Sequence, residues 1–138
     1  MSTWKRLAIE LFPKHNRGWN AFQRSEMTIY QVFFVLRRDA EEYIRSENDE
    51  ELGKIFKFAE WCFSHRKRSP DIWNAAATAF LEHLADEDVS AEIIPRWVKP
   101  EIFLAMRTEF QKRRERCEKG KFHELLEKYN SVNSIDIV

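Results

Sequence analysis

The side chains of this sequence best suited to chemistry are its two cysteines and four histidines. Cys62 and His65 are three residues apart, a spacing that places two metal ligands on one face of a helix. Cys117 and His123 are distant from that pair, whereas zinc ligands normally recur in compact pairs. Cys62 also falls among the apolar residues of its segment, where a free cysteine acts as a small hydrophobe. We therefore expect no metal site and no cofactor.

The sequence also lacks a recognisable catalytic pattern. Glu82 and His83 are adjacent, so on a helix their side chains point about 100° apart rather than toward one substrate atom. Gly18, Gly53 and Gly120 are isolated from one another, so none of them belongs to a phosphate-binding loop. We assign no catalytic residue and expect the chain not to be an enzyme.

The elements that position these side chains are helices. Hydrophobic residues make up 43% of the chain and charged residues 33%, with three glycines and four prolines, a balance that favours an all-α fold. Apolar residues recur at helical spacing in five to six segments. We expect an up-and-down bundle or stacked helical hairpins that form one domain over residues 1–130. Residues 131–138 have no partner identifiable from the sequence and are expected to be a loose tail.

The boundaries of these helices follow from capping signals. Thr28 and Gln31 form a capping-box pattern for the second helix, and Asn48 or Asp49 caps the third. Ser69-Pro70-Asp71 begins the fourth. The remaining expected boundaries are a first helix from about Thr3 to Phe12, a fourth that continues to about Leu84, a short helix between Ser90 and Pro95, a long helix from Pro100 and a break at Gly120.

Composition also bears on location. Two cysteines in a chain of 138 residues fit a reducing compartment better than a disulfide-stabilised secreted protein. No apolar run approaches the roughly 18 residues needed to cross a bilayer, and residues 1–6 lack the apolar core of a signal peptide. We expect a cytoplasmic protein with no membrane partner.

Charge is balanced in total, with 23 basic and 23 acidic residues, but it is unevenly distributed. Acids dominate residues 39–51 and 82–92, and bases cluster in residues 65–68 and 112–121. If consecutive helices are antiparallel, both acidic runs lie at one end of a bundle and both basic runs at the other. Acids that follow the second and fourth helices oppose the helix dipole, so helix stability does not explain them and a basic protein partner does.

Two sets of residues are therefore candidates for binding. The candidate protein-binding residues are Glu47, Asp49, Glu50, Asp86, Glu87 and Asp88, together with an aromatic stripe of Phe58, Trp61 and His65. That stripe is either an exposed anchor for a partner or a second buried face of its helix, and the sequence leaves both readings open. The candidate nucleic-acid residues are Arg66, Lys67, Arg68, Lys112, Arg113, Arg114 and Arg116, which either neutralise phosphates or complement helix C-termini.

Part of the chain resembles a known group of proteins. The segment NAAATAFLEHL, residues 74–84, preceded by FAEWC, residues 58–62, resembles small all-helical bacterial proteins of unknown function. The likeness covers about residues 28–86, and it implies an immunity role because some small helical proteins of this kind are partners of bacterial toxins. The sequence as a whole predicts a non-catalytic protein-binding module, an immunity or regulatory partner of a bacterial protein, with nucleic-acid binding as the alternative.

Overall fold

The computed structural model describes residues 2–138, and every regular element in that range is helical. The all-α class is therefore confirmed. The α-helices in this range number eight rather than five or six, because two short ones stand where one was expected and the segment after Gly120 is a separate helix. They are α1 Thr3–Leu11, α2 Ile29–Arg45, α3 Asp49–Phe63, α4 Pro70–Ala75, α5 Asp88–Ala91, α6 Ile94–Trp97, α7 Pro100–Cys117 and α8 Lys121–Asn133. None of the helices in residues 2–138 has the length and apolarity needed to cross a bilayer.

The chain folds as two compact units, a first that ends at Phe80 and a second from Leu81 to Val138. Each unit has its own aromatic core. The expectation of one domain over residues 1–130 stays a prediction.

The helix starts agree with the capping signals. The Thr28 hydroxyl accepts a hydrogen bond from the Gln31 amide at 3.2 Å, and the Gln31 side chain accepts one from the Thr28 amide at 2.8 Å. This reciprocal pair is a capping box, and it satisfies two amides that the first turn of α2 leaves without helical partners. At α3 the cap is Asn48, whose side chain accepts from the Glu51 amide.

The segment after α4 departs from the expected single helix. Residues Ala76–Phe80 form a π turn and residues Leu81–Ala85 form a 3-10 helix. The Thr78 hydroxyl donates to the Asn74 carbonyl at 2.8 Å, a bond of the kind that competes with regular helix geometry and bends helices. A π turn also accommodates one extra residue per turn, so the helical path continues to Ala85 without regular α geometry.

The core of the first unit is a set of phenylalanines from different elements. The ring of Phe58 lies 5.8 Å from that of Phe12 and 5.3 Å from that of Phe33, centroid to centroid. Phe33 in turn stacks on Phe80 at 6.0 Å. Phe58 has no exposed surface, so its place among the exposed binding candidates is wrong and the buried reading applies to it. The reason is that α1 and the Pro13–His15 turn bring Phe12 onto this face of α3.

The core of the second unit centres on Phe103. Its ring stacks on Tyr129 of α8 at 3.9 Å and lies 5.6 Å from Phe110. The Tyr129 hydroxyl is satisfied because it donates to the Val98 carbonyl at 2.5 Å. The expected break before α8 is present at Gly120, whose φ of 91° is in the left-handed region.

The last residues of the chain have partners that the sequence did not reveal. Helix α8 continues to Asn133, and the Asn130 side chain both donates to the Ile137 carbonyl and accepts from the Ile137 amide. The Arg107 guanidinium also donates to the carbonyl of Val138. The expectation that residues 131–138 form a loose tail in solution stays a prediction.

The turn between α2 and α3 contains an unusual backbone conformation. Glu47 has φ 55°, in the left-handed region that favours glycine. The Asn48 amide donates to the Tyr43 carbonyl at 2.9 Å and the Glu47 amide donates to the Ile44 carbonyl at 3.3 Å, which together make a Schellman motif. Glu47 occupies the position of this motif where glycine is usual.

We expect Glu47→Gly to raise the free energy of unfolding by about 1 kcal/mol, because glycine adopts a left-handed conformation without the steric penalty of a Cβ atom. Glu47→Ala is the control, since it removes the same carboxylate but keeps the Cβ atom. Urea denaturation followed by circular dichroism measures both. Equal stability of the two variants would contradict the assignment of Glu47 to the glycine position of the Schellman motif.

Candidate functional site

Two aromatic side chains of the first unit are exposed, unlike the phenylalanines that form its core. Trp19 is 85% exposed and Phe34 is 56% exposed. Both line a groove of about 320 Å³ between the loop of residues 16–27 and helix α2. We call it the aromatic groove, and its lining residues are Trp19, Asn20, Met27, Gln31, Phe34, Val35 and Arg38.

The loop that carries Trp19 is shaped by its neighbours in sequence. Gly18 has φ 83°, a left-handed conformation that glycine adopts without strain, and its carbonyl accepts from the Ala21 amide at 3.2 Å. Phe22 is fully buried and packs against Phe12 at 6.1 Å and His15 at 4.8 Å, centroid to centroid. The turn therefore buries Phe22 and leaves Trp19 exposed.

A short hydrogen bond between His15 and the buried Asp39 fastens the start of this loop to α2. His15 Nε2 lies 2.6 Å from Asp39 Oδ2, and Lys14 Nζ lies 3.5 Å from Asp39 Oδ1. The end of the loop is fixed as well, because the Lys5 ammonium donates to the Arg24 carbonyl. These contacts set the position of the loop relative to the helix that carries Phe34.

The electrostatics of Asp39 follow from its partners. Burial raises the pKa of this carboxyl, but the hydrogen bond and charge of His15, with the charge of Lys14, outweigh burial and hold its pKa below the ordinary value. Asp39 therefore stays ionised at neutral pH although it is buried.

Sequence reasoning missed both aromatics of the groove. Phe34 lies outside the apolar stripe of α2, about 100° around the helix from the buried Phe33. An aromatic residue on the polar face of an amphipathic helix is the signal that could have identified it. Trp19 directly follows the turn at Gly18, in a stretch without helical periodicity, so no pattern indicated its exposure.

The acidic candidates near the start of α3 are exposed, but their position relative to the helix dipole differs from the expected one. Glu47, Asp49 and Glu50 are all exposed. Asp49 and Glu50 belong to the first turn of α3, where the helix dipole favours acids, so the expected conflict with the dipole is wrong for them. Their presence therefore does not require a basic partner.

The rest of the aromatic stripe forms a local pair. The rings of Trp61 and His65 lie 4.0 Å apart, and His65 Nδ1 lies 2.6 Å from the Trp61 carbonyl oxygen. Both side chains are partly exposed. Without Phe58 they are a much smaller surface than the sequence suggested, and their role in binding stays a prediction.

In the second unit, acidic and basic candidates pair with one another. Arg113 contacts Asp86 at 2.6 Å and Glu82 at 2.9 Å. Arg114 is buried and contacts Asp88 at 2.6 Å. The expectation that these two runs lie at opposite ends is therefore wrong. Helices α5 and α6 separate residues 81–88 from α7 in the sequence. The C-terminal half of α7 nevertheless packs beside residues 81–88.

Five of the seven candidate nucleic-acid residues are exposed, the exceptions being Arg113 and Arg114. Arg66 lies over the ring of Trp73 at 4.7 Å, and the others are Lys67, Arg68, Lys112 and Arg116. Glu87 of the second acidic group is exposed too.

The residues considered for chemistry are dispersed. Across residues 2–138, no three His, Cys, Asp or Glu side chains are grouped so that they could hold a metal ion. Cys62 is fully buried, and burial raises the pKa of its thiol. Glu82 and His83 approach each other at 3.9 Å, and their shorter contacts are with other residues, Glu82 with Arg113 at 2.9 Å and His83 with Asp86 at 2.7 Å.

The family described as Domain of unknown function (DUF7674) matches residues 5–115 of the chain. The chain belongs to this family. The DUF7674 match includes every residue that lines the aromatic groove, and it ends before α8. No curated protein and no solved structure matches the chain. DUF7674 membership agrees with the resemblance to small proteins of unknown function, while the immunity role stays a prediction.

We expect Asp39→Asn to lower the free energy of unfolding at pH 7 by about 1–3 kcal/mol, because the amide cannot replace a charged hydrogen-bond partner of His15 and Lys14. Since the folded-state pKa of Asp39 is lowered, its carboxylate stabilises the fold above about pH 4, and this contribution is lost as pH falls through the folded-state pKa. Urea denaturation from neutral to acidic pH should therefore give a shallower profile for the variant than for the unmodified chain.

The control for this experiment is Glu42→Gln, which removes an exposed carboxylate of the same helix outside its first turn. Its pH profile should follow that of the unmodified chain. If the pH profile of Asp39→Asn also follows that of the unmodified chain, the contact of Asp39 with His15 and Lys14 does not stabilise the fold.

Proposed function

We propose that this chain is a non-catalytic protein-binding module whose partner docks in the aromatic groove. The observation that supports this most directly is the exposure of Trp19 and Phe34 on the same groove. Exposed aromatic residues that line a concave surface are enriched among the residues that dominate binding energy in protein interfaces. The sequence resemblance favours an immunity or regulatory partner in the bacterial cytoplasm as the specific form of this function.

The chemistry of the lining residues also favours binding over catalysis. The groove presents an indole, a phenyl ring, aliphatic and thioether groups, two amides and a guanidinium. None of these groups serves as a nucleophile or as a general base at neutral pH. They supply apolar contact area and hydrogen bonds, which are what a docking surface requires.

The hypothesis of a basic partner at Glu47, Asp49 and Glu50 has weaker support than the hypothesis of a partner in the aromatic groove. The helix dipole accounts for Asp49 and Glu50, and the neighbouring Glu51 is paired with Lys54 at 2.8 Å. The groove is therefore the preferred docking surface.

We expect Trp19→Ala and Phe34→Ala each to weaken partner binding by at least about 2 kcal/mol, the magnitude typical of a central aromatic anchor. Because both side chains are exposed, stability should change by less than about 1 kcal/mol. The measurement is affinity capture from a native bacterial lysate with quantitative mass spectrometry, followed by titration of the captured protein. Leu104→Ala is the matched control, since Leu104 is an exposed hydrophobic residue of the second unit.

A protein retained by the unmodified chain and by Leu104→Ala, but lost by both groove variants, supports the proposal. Equal retention by all four proteins contradicts it.

Nucleic-acid binding is the second candidate, because Lys67 and Arg68 are exposed and have no acidic partner among the described residues. Arg113 and Arg114 are unsuitable for testing it, since reversing their charge would break the ion pairs with Asp86 and Asp88. The suitable variant is the double substitution Lys67→Glu and Arg68→Glu.

We expect little binding to generic DNA or RNA at physiological salt. Fluorescence anisotropy with labelled oligonucleotides over a range of salt concentrations measures it. Submicromolar affinity that falls steeply with salt, and that the double variant abolishes, would make nucleic acid the preferred partner.

A further inference from the structure

We propose that the aromatic groove binds an acidic amphipathic segment of a partner protein, in which apolar side chains lie beside carboxylates that pair with Arg38. This inference rests on the proposed function and names the chemistry of the ligand.

The apolar half of the proposal follows from burial within the groove. Met27 is 9% exposed and Val35 is 8% exposed, so these two residues form its base, with the more exposed Trp19 and Phe34 at its sides. A volume of about 320 Å³ is at the lower end of the range for ligand pockets. It suits one or two apolar side chains of a peptide, and the flexible Met27 can adapt to their shape.

The polar half follows from the hydrogen-bonding groups that the groove leaves available. Arg38 is exposed, and no carboxylate among residues 2–138 lies within ion-pair distance of its guanidinium. The side-chain oxygen of Gln31 is occupied by the Thr28 amide, which leaves its NH2 group as a donor. Both groups donate, so the ligand must supply acceptors, and a guanidinium binds carboxylates in a planar, two-point geometry.

The charges around the groove favour the same ligand. Glu26 is bonded to Arg24, whose guanidinium also lies 5.2 Å from the Trp19 ring centroid. Asp39 is bonded to His15. Glu41 is the exposed acid nearest to Arg38 along α2, whereas neither Arg17 nor Arg38 has an acidic partner among residues 2–138. The local surplus of positive charge in a neutral protein attracts an acidic ligand.

Aromatic and arginine side chains also occur in sites for single-stranded nucleic acids, but the residues at the floor of this groove favour a peptide. Met27 and Val35 offer aliphatic contacts instead of a flat surface on which a base could stack. A backbone-tracking site would also need a row of cations, whereas Arg38 is the one cation among the described residues that line this groove.

The test is selection of a random peptide library displayed on phage against the intact chain, with counter-selection on Trp19→Ala. We expect the selected peptides to combine Asp or Glu with Leu, Ile, Phe or Trp. The affinity of a selected peptide, measured by isothermal titration calorimetry, should fall at least about tenfold for Trp19→Ala and for Arg38→Glu. Lys128→Glu, an exposed charge reversal in the second unit, should change it less than about twofold.

Peptides that depend on Trp19 but lack acids, or that bind Arg38→Glu equally well, would overturn the acidic chemistry and leave the proposed function standing. Selection of no peptide that depends on Trp19 or Phe34 would overturn both.

Two further measurements distinguish other occupants. Self-association in sedimentation velocity that Trp19→Ala abolishes would assign the groove to a second copy of the chain and overturn the proposal. Binding of a labelled oligouridine probe that requires Trp19 would overturn it in favour of RNA. Thermal melting of each variant confirms that it is folded.

Discussion

The aromatic groove depends on the bond between His15 and Asp39. The loop of residues 16–27 has no helix or strand of its own, so side chains must hold it in place. Phe22 supplies apolar contact, but such contacts are non-directional and tolerate sliding. A buried carboxylate is costly without its partner, so the 2.6 Å contact holds the start of the loop against α2. With the loop held there, Trp19 and Phe34 line the same groove.

Local features were readable from the sequence, and non-local pairings were not. The capping box at Thr28, the Asn48 cap and the break at Gly120 each depend on residues within a few positions, so their chemistry is visible in the chain itself. Asp39 looked like one more member of an acidic run, because nothing in the sequence links it to His15. Phe58 was ambiguous for the same reason, since only folding reveals that Phe12 covers it.

The same distinction explains the charge pattern. Counting acids and bases along the chain treats each run as a surface, but Arg113 and Arg114 neutralise Asp86 and Asp88 across the second unit. Two of the most conspicuous runs are therefore partly internal to the fold. The charges that remain available to a partner are those whose folded neighbours are not opposite in sign, and Arg38 is an inconspicuous example that no run contains.

Helix α8 lies beyond residue 115, where the DUF7674 match ends, yet its Tyr129 stacks on Phe103 and bonds to the Val98 carbonyl, both within the matched range. The matched range thus does not contain the whole hydrophobic core of the second unit. A relative that shares only the matched segment needs some other side chain to shield Phe103 from water. The end of the family match and the end of the compact second unit are therefore different positions on this chain.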